Sequence, residues 1–315
     1  MDIQGLSDEL IHFGAAEAVQ DLYIQYQQGR WAAVFRKGQQ LTIYQELEEN
    51  CAKQLITRFK YLGEMDVGEN RKVQLGAISY PLFEGVQQRL RLSVVGDYRT
   101  RESLVIRFLH PLKEAAVRYF IPEQQEVLAQ AVSRRGLYLF SGPTGSGKTT
   151  LMYQLARQMK GQVIAIEDPV EIEEPAFLQL QTNSKIGQTY DVLIQLSLRH
   201  RPDVLIIGEI RDTETAKAAM RAALTGVTVF ATVHAKGVAG TRGRIHELAN
   251  GEKELAECLA GIIYQRLLPF DAEHLGVLLA YDFVGKELPY GDWQKKLQQL
   301  AAKGQLASAE MEREL

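Results

Sequence analysis

The feature that most constrains this chain is one segment, Gly142-Pro143-Thr144-Gly145-Ser146-Gly147-Lys148-Thr149. It fits the pattern G-x-x-x-x-G-K-[ST], follows the apolar run 137–140 and precedes the helical segment 150–160. Glycines let such a loop curl so that its backbone N–H groups face phosphate oxygens, and the helix N-terminus adds positive potential. A chance glycine-rich turn is the alternative. The strand before the loop and the helix after it favour a phosphate-binding loop.

The last two residues of this loop carry specific expectations. Lys148 is expected to reach the β- and γ-phosphates of a nucleotide, and Thr149 is expected to ligate Mg²⁺. The loop therefore predicts a site for a nucleoside triphosphate with its metal ion.

The second half of the chain alternates apolar runs with helical segments. Parallel strands that are covered on both faces are apolar throughout, and βαβ units produce this alternation. We therefore predict an α/β domain with a parallel sheet. The runs are 137–140, 163–166, 204–207 and 227–233.

The first half predicts a smaller α+β domain. An amphipathic helix is expected over 45–62, because apolar residues recur there at intervals of four. Prolines at 111 and 122 suggest a connector. The predicted organisation is a first domain at 1–110, a linker at 111–122 and a second domain, with a helical C-terminal region, at 123–315. The strand-like runs of the first domain are 21–24, 31–35, 90–95 and 104–106.

A carboxylate, Glu209, follows the apolar run 204–207. Ligands of parallel α/β sheets bind at the carboxyl ends of the strands. Glu209 is therefore placed to orient or deprotonate a water that attacks the γ-phosphate. The alternative is that it merely caps a following helix.

A second acidic group, Glu167-Asp168-Pro169-Val170-Glu171, follows the run 163–166. Carboxylates at neighbouring strand ends suggest Mg²⁺ binding through water, by Asp168 and Glu209, and positioning of the attacking water. An ordinary turn begun by Asp-Pro is the alternative.

The run 227–233 ends in His234. A lone histidine is more often structural than functional, but its strand-end position, like that of Glu209, suggests a phosphate-sensing role. Both interpretations stay open on the residues alone.

Residues 85–118 form a basic stretch, with seven basic side chains and three acidic ones. Alternation through Leu90-Arg91-Leu92-Ser93-Val94 puts Arg91 on the face opposite the apolar residues. Three interpretations remain: a solvated sheet face, a nucleic-acid groove, or arginines that stabilise a γ-phosphate in trans.

Composition limits these choices. The chain has 315 residues with 36 Lys and Arg against 39 Asp and Glu, which argues against a protein whose main task is neutralising nucleic-acid phosphates. Cys51 and Cys258 are far apart and predict neither a zinc ribbon nor a disulfide framework, so both are expected to be reduced, buried thiols. With no signal-like N-terminus and no apolar stretch of roughly 18 residues, we expect a cytosolic chain.

Taken in order, these motifs resemble those of the type II/type IV secretion system ATPase superfamily, the motors that assemble pili and pseudopili. Asp21-Leu22-Tyr23-Ile24 resembles a motif of the family's N-terminal sensor-like domain, and the segments around Arg91 and Arg107 match those whose arginines contact the γ-phosphate. The other matching segments are 142–149, 167–171, 198–203, 208–216, 222–226 and 231–234.

The resemblance implies a RecA-like P-loop NTPase motor domain preceded by a PAS-like α+β domain. It implies an ATPase that uses Mg²⁺, with nucleotide contacts extending from the phosphate loop to Thr150. It also implies a ring, expected to be a hexamer, that drives a polytopic membrane platform protein from the cytoplasmic face without binding nucleic acid directly. The residues given catalytic roles by the resemblance are Glu209, Glu167, Asp168, Glu171, His234, Arg91 and Arg107.

Two departures narrow the resemblance. Val227 stands where members often have a histidine, and no four-cysteine zinc module follows Leu267, so no zinc is expected. The missing zinc module, together with the absence of the long extra N-terminal domain of larger members, makes the chain resemble the compact competence pseudopilus motors of Gram-positive bacteria most closely. A motor of another pilus or type II secretion system, a DNA-handling RecA-like ATPase and a non-hydrolysing scaffold are the alternatives.

Overall fold

The chain divides into two compact units, Met1–Lys113 and Glu114–Leu315, in a computed structural model. Residues 2–37, 40–83, 85–109, 118–132, 134–183, 186–270, 275–289, 291–306 and 311 are described. The predicted linker 111–122 falls partly on 110–117, which lie outside the described residues. The domain boundaries inferred from the sequence therefore stay a prediction.

The first unit is an antiparallel sheet with helices on one face. The strand order across the sheet is β3-β2-β1-β6-β5-β4, with every neighbouring pair antiparallel. The elements are α1 (Ile3–Ala16), β1 (Asp21–Gln27), β2 (Arg30–Lys37), β3 (Gln40–Leu47), α2 (Glu49–Leu62), β4 (Gln74–Phe83), β5 (Val86–Gly96) and β6 (Glu102–Leu109).

Alternation along the strands decides which side of this sheet is covered. Leu90, Leu92 and Val94 of β5 are buried in one core together with Leu55 and Phe59 of α2. The intervening residues of β5 therefore face the other side of the sheet, because successive side chains of a strand point to opposite faces. This confirms the predicted mixture of helix and sheet.

The predicted helix over 45–62 was wrong at its start. The helix begins at Glu49, and the residues before it continue β3. Leu47 pairs with Trp31 on β2, and Glu48 has extended backbone angles. Cross-strand pairing of the apolar Leu47 thus prevails over the helical period that it also fits.

The second unit is a sheet with helices on both faces. Its strand order is β10-β9-β11-β12-β8-β13-β14-β7. The elements are β7 (Arg118–Tyr119), α3 (Glu123–Ala131), β8 (Gly136–Ser141), α4 (Lys148–Gln158), β9 (Val163–Glu167), β10 (Leu178–Gln181), α5 (Tyr190–Arg199), β11 (Val204–Ile207), α6 (Thr213–Leu224), β12 (Thr228–Val233), α7 (Gly237–Ala249), α8 (Glu252–Cys258), β13 (Leu259–Pro269), β14 (Leu275–Phe283) and α9 (Trp293–Ala302).

The strands from β8 to β13 pair in parallel, which confirms the predicted α/β class. One apolar core lies under α5, α6, α7 and α8, and the opposite core lies under α3 and α4. The four apolar runs expected from the sequence are β8, β9, β11 and β12. Because both faces of these strands are buried, the runs are continuous rather than alternating.

Two smaller expectations also have outcomes. Cys51 and Cys258 are both buried, as predicted, and neither forms a disulfide. The C-terminal polar helix is α9, which packs Leu297 and Leu300 into a small core with Phe120. None of the helices in the described part of the chain is both long and apolar enough to span a membrane.

Candidate functional site

The predicted site residues of the second unit lie at one edge of its sheet. The neighbouring strands β9, β11, β12 and β8 are parallel, so their carboxyl ends meet at that edge. Hydrogen bonds join the segments that leave it: Gly208 N donates to Ile166 O at 2.8 Å, and Ile210 N donates to Thr232 O at 2.8 Å. The Thr232 hydroxyl donates to Gly208 O at 2.5 Å. The strand-end motifs predicted separately are therefore parts of one site.

The loop between β8 and α4 has the backbone of a phosphate cradle. Gly142, Gly145 and Gly147 have φ values of 137°, 77° and 87°, which glycine adopts far more readily than other residues. A Cβ on Gly142 would lie 2.2 Å from the backbone oxygen of Gln265 on β13. Glycine is therefore required there both for the turn and for the close approach of β13.

Lys148 lies over the loop that precedes it. Its ammonium donates to Gly142 O at 3.0 Å and to Pro143 O at 2.9 Å. Burial lowers the pKa of Lys148, and the negative charges of Glu171 and Glu209 partly offset that effect. The sequence motifs predicted that Lys148 would share a site with Glu171 and Glu209. In the structure these three side chains interact electrostatically.

The other loop residues differ in exposure. Pro143, Thr144 and Gly145 are exposed at the tip, whereas Ser146 is buried. Thr149 and Thr150 lie in the first turn of α4 and are partly exposed. The positive end of the α4 dipole therefore faces the loop, where it favours an anion.

Glu209 occupies the centre of the site. Its side chain is 14% exposed and forms an ion pair with Arg211. His234 Nε2 lies 3.6 Å from the other carboxylate oxygen of Glu209. Asp212, not Glu209, caps α6, because its carboxylate accepts from Thr215 N at 2.7 Å. The alternative that Glu209 serves as a helix cap is therefore wrong.

The acidic box separates into buried and exposed carboxylates. Asp168 and Glu171 are exposed, but Glu167 is the last residue of β9 and is buried. The Tyr153 hydroxyl of α4 donates a hydrogen bond to Glu167. Burial raises the pKa of Glu167 from 4.5 to about 7, against the opposing effect of the Tyr153 hydrogen bond. Glu167 therefore ties α4 to β9 rather than facing solvent with its two neighbours.

The sequence analysis did not single out Tyr190, the first residue of α5. A Cβ on Gly208 would lie 2.8 Å from the Tyr190 hydroxyl, so the glycine before Glu209 makes room for this ring. Burial and then the charges of Glu209 and Asp168 raise the pKa of Tyr190. The only sequence signal for this neighbour is the glycine itself, directly after β11.

The arginines of the first unit lie in a cross-strand row. Arg91 of β5 is directly opposite Arg107 of β6, and Arg107 is opposite Asp21 of β1. The Arg107 guanidinium pairs with the Asp21 carboxylate at 2.9 Å, and Asp21 is buried. Tyr23 also donates to this carboxylate, at 3.3 Å. Arg91 and Arg107 thus form one basic group on the face that α1 and α2 leave uncovered.

Comparison with known proteins assigns the chain. The family model described as type II/IV secretion system protein matches residues 3–295. The chain belongs to this family. A competence protein of Streptococcus pneumoniae, ComGA, is 43% identical to it over 317 residues, which cover 99% of this chain and 98% of that protein. ComGA of Bacillus subtilis is 34% identical over 273 residues, covering 84% and 76% of the two chains.

Solved structures support the fold of this secretion-family chain. The ATPase DotB of Legionella pneumophila superposes with a TM-score of 0.76, at 20% identity, over 98% of this chain and 94% of that one. The second unit therefore has a RecA-like P-loop fold, as the strand order around β8 indicates. The predicted membership and fold class are both confirmed.

The oxygen atoms that this family member offers suit a Mg²⁺ ion that binds together with a nucleotide. In the described part of the chain, no group of three or more His, Cys, Asp or Glu is placed to hold a metal ion. Mg²⁺ at a phosphate site usually takes one or two protein oxygens, the phosphates and several waters, so a dedicated cage is not required. Thr149 in the first turn of α4, and Asp168 and Glu209 after neighbouring strands, supply oxygen donors of the kind that Mg²⁺ takes.

Proposed function

We propose that this chain is the ATP-hydrolysing motor that powers assembly of a competence pseudopilus. The observation that carries the proposal is the 43% identity with the competence protein ComGA across nearly the whole of both chains. The convergence of the phosphate loop with Glu209 supports an enzymatic activity rather than a scaffold. ATP is the substrate that such a motor consumes.

The phosphate loop binds the nucleotide through its backbone N–H groups and Lys148. The Lys148 ammonium, which donates to Gly142 O and Pro143 O, turns to the β- and γ-phosphates when ATP enters. Thr149 would hold Mg²⁺, with Asp168 and Glu209 acting on it through water. The ion would neutralise charge that develops on the phosphates.

Glu209 orients the attacking water. Its carboxylate is available for this role because it caps no helix. The ion pair with Arg211 orients one of its oxygens, and the other oxygen faces His234. A positioned carboxylate of this kind contributes on the order of 10² to 10⁴ in rate. Glu171 supplies further negative charge near Lys148, and the buried Glu167 positions α4 through Tyr153.

Arg91 and Arg107 complete the site. In a ring of identical chains, expected to be a hexamer, the first unit presents this pair to the γ-phosphate, which adds positive charge where the transition state gains negative charge. Closure of the units on ATP and release after hydrolysis supply the displacement that does mechanical work. A polytopic membrane platform protein receives that displacement at the cytoplasmic face of the membrane.

The proposal is tested with the purified chain, by ATPase assay together with molar mass from light scattering, each with and without ATP. The Glu209→Gln variant should keep ATP binding but lose turnover by at least about a hundredfold. Glu214→Gln is the matched control, because Glu214 is exposed in the first turn of α6. Equal turnover of the Glu209→Gln variant and wild type would remove Glu209 from the mechanism.

Two further outcomes separate the alternatives. Hydrolysis that depends on added DNA, with salt-sensitive DNA binding, would replace the pseudopilus motor by a DNA-handling ATPase. Assembly with ATP but negligible phosphate release would indicate a nucleotide-dependent scaffold.

A further inference from the structure

Gln265 of β13 lies directly under the phosphate loop. Strand β13 runs parallel to β8, with Tyr264 opposite Ser141, the last residue of β8. Gln265 is therefore level with Gly142, where the loop begins. Its side chain is buried, with the residue 3% exposed, and no role in binding or hydrolysis has been given to it above.

Two kinds of contact join Gln265 to the loop. Its side-chain amide donates from Nε2 to Ser146 O at 2.6 Å. The two glycines at the ends of the loop also face it, because a Cβ on Gly142 would lie 2.2 Å from Gln265 O and a Cβ on Gly147 would lie 2.8 Å from Gln265 Nε2. The loop is thus packed against both the backbone and the side chain of this residue.

The polar part of this contact depends on one hydrogen bond. Gln265 Oε1 and the hydroxyl oxygen of Ser146 are both buried, and neither has a hydrogen-bond partner among the described residues. The Ser146 carbonyl oxygen can only accept a hydrogen bond, so the Gln265 side chain must present Nε2 to it. The flipped amide would place Oε1, a second acceptor, against that carbonyl. The Nε2 donor is therefore the group that fixes the Ser146 carbonyl.

The direction of that carbonyl determines the direction of the next N–H group. The peptide unit between Ser146 and Gly147 is planar and trans, so its C=O and N–H point in opposite directions. A Ser146 carbonyl held against Gln265 turns the Gly147 N–H away from β13. That N–H group is one of the donors that the loop offers to a phosphate.

We propose that Gln265 is a positioning residue for nucleotide binding, which orients the Ser146–Gly147 peptide so that the Gly147 N–H faces the phosphates. The inference rests on the proposed function, since it requires a nucleotide in this loop. Gln265 acts through the loop backbone and touches neither Glu209 nor the attacking water. Its loss therefore weakens binding of the ground state and of the transition state alike.

The first test replaces the amide by an apolar group of similar length. Gln265→Met should raise the Kd of a fluorescent ADP analogue about tenfold, because the Ser146 carbonyl loses its donor. The KM for ATP should rise by a similar factor while kcat changes less than about threefold. The measurements are fluorescence titration and steady-state ATPase kinetics on the full chain.

Gln124 of α3 offers a matched control in the same unit. It is fully buried, and its amide donates to Leu279 O of β14 at 2.7 Å and accepts from Leu279 N at 3.3 Å. Gln124→Met therefore also removes a buried amide from a strand backbone, but away from the loop. Both variants should lose thermal stability, whereas only Gln265→Met should lose ADP affinity.

A second variant gives a readout that packing alone would not change. Gln265→Glu places an ionised carboxylate against the Ser146 carbonyl at high pH, but a protonated carboxyl has an O–H that can donate to it. The ratio of its Kd for ADP to that of wild type should therefore fall by about fivefold or more as the pH falls from about 8.5 to about 6. The same ratio for Gln265→Met should stay constant.

The outcomes separate the inference from the proposed function. If wild type binds ADP and Gln265→Met binds it equally well, or if Gln124→Met weakens binding to the same extent, the positioning role is wrong and the ATPase stands. A pH-independent ratio for Gln265→Glu also overturns the role. If wild type does not bind the ADP analogue, the proposed function fails, and the inference fails with it.

Discussion

His234 Nε2 lies 3.6 Å from Glu209 Oε2, while Glu209 Oε1 pairs with Arg211. The two residues come from neighbouring strand ends, Glu209 after β11 and His234 after β12. The carboxylate proposed to orient water therefore pairs with Arg211 through one oxygen, while its other oxygen faces His234 from the next strand end.

The His234→Ala variant should lower kcat about tenfold and leave the KM for ATP within about twofold of wild type. The reason is that His234 contacts Glu209 and not the loop that binds the nucleotide. Steady-state ATPase kinetics measures both constants. His246→Ala is the control, since His246 is exposed on α7. A raised KM with an unchanged kcat would place His234 in binding instead.

The Arg107→Ala variant should reduce hydrolysis at least about tenfold without loss of nucleotide binding, since the proposed contact is made with the γ-phosphate. Asp21→Asn should have a smaller effect in the same direction, because Asp21 holds the Arg107 guanidinium at 2.9 Å. Arg101→Ala is a matched control, because Arg101 pairs with Asp97 in the turn between β5 and β6 of the same sheet. Unchanged activity of Arg107→Ala would mean that Arg91 and Arg107 lie on a solvated sheet face and do not act on the γ-phosphate.

The Glu167→Gln variant should show a pH-dependent gain in stability. Burial raises the pKa of Glu167 from 4.5 to about 7, so the folded chain binds this proton more tightly than the unfolded chain does. The resulting stabilisation is full below the unfolded pKa and is lost as the pH rises through 7. Relative to wild type, the variant should therefore gain up to roughly 3 kcal/mol in free energy of unfolding between about pH 5 and pH 8.

Urea denaturation at several pH values measures this difference. Glu126→Gln is the control, because Glu126 is exposed on α3. A difference between Glu167→Gln and wild type that stays constant over the range would mean that Glu167 does not titrate there.

Two glycines of the phosphate loop should respond differently to alanine. Gly142→Ala places a Cβ 2.2 Å from the backbone of Gln265, so it should cost more than about 3 kcal/mol in free energy of unfolding or shift the loop enough to abolish ADP binding. Gly145→Ala meets nothing within 4 Å and carries only the strain of its positive φ, about 1 kcal/mol. Urea denaturation and ADP titration compare the two variants, and equal effects would contradict the close approach of β13.

Sequence patterns predicted the parallel core of the second unit well. Runs such as 204–207 are apolar throughout because both faces of β11 are buried, and the residues that follow them are polar because they leave the sheet at one edge. Because the carboxyl ends of these neighbouring strands are adjacent, Glu209 and Glu171 lie close enough to Lys148 to interact with its charge, as the motifs suggested.

Other parts of the site had no local signal. Gln265 is 119 residues from Ser146 along the chain, and only the parallel pairing of β13 with β8 brings them together. Glu167 and Asp168 are adjacent and chemically alike, yet Glu167 ends the buried strand β9 and contacts Tyr153, whereas Asp168 follows the strand and is exposed. Such differences arise from tertiary packing, which spacing along the chain does not encode.

The pairing of Arg91 with Arg107 is maintained by residues that carry no charge. Leu90, Leu92 and Val94 are packed in the core, so a slip of β5 by one residue against β6 would expose all three and bury the charge of Arg91. Two like charges directly opposite each other on paired strands repel, so the arginines themselves do not favour this register. The hydrophobic side of the sheet therefore sets the spacing of the cations on its other side.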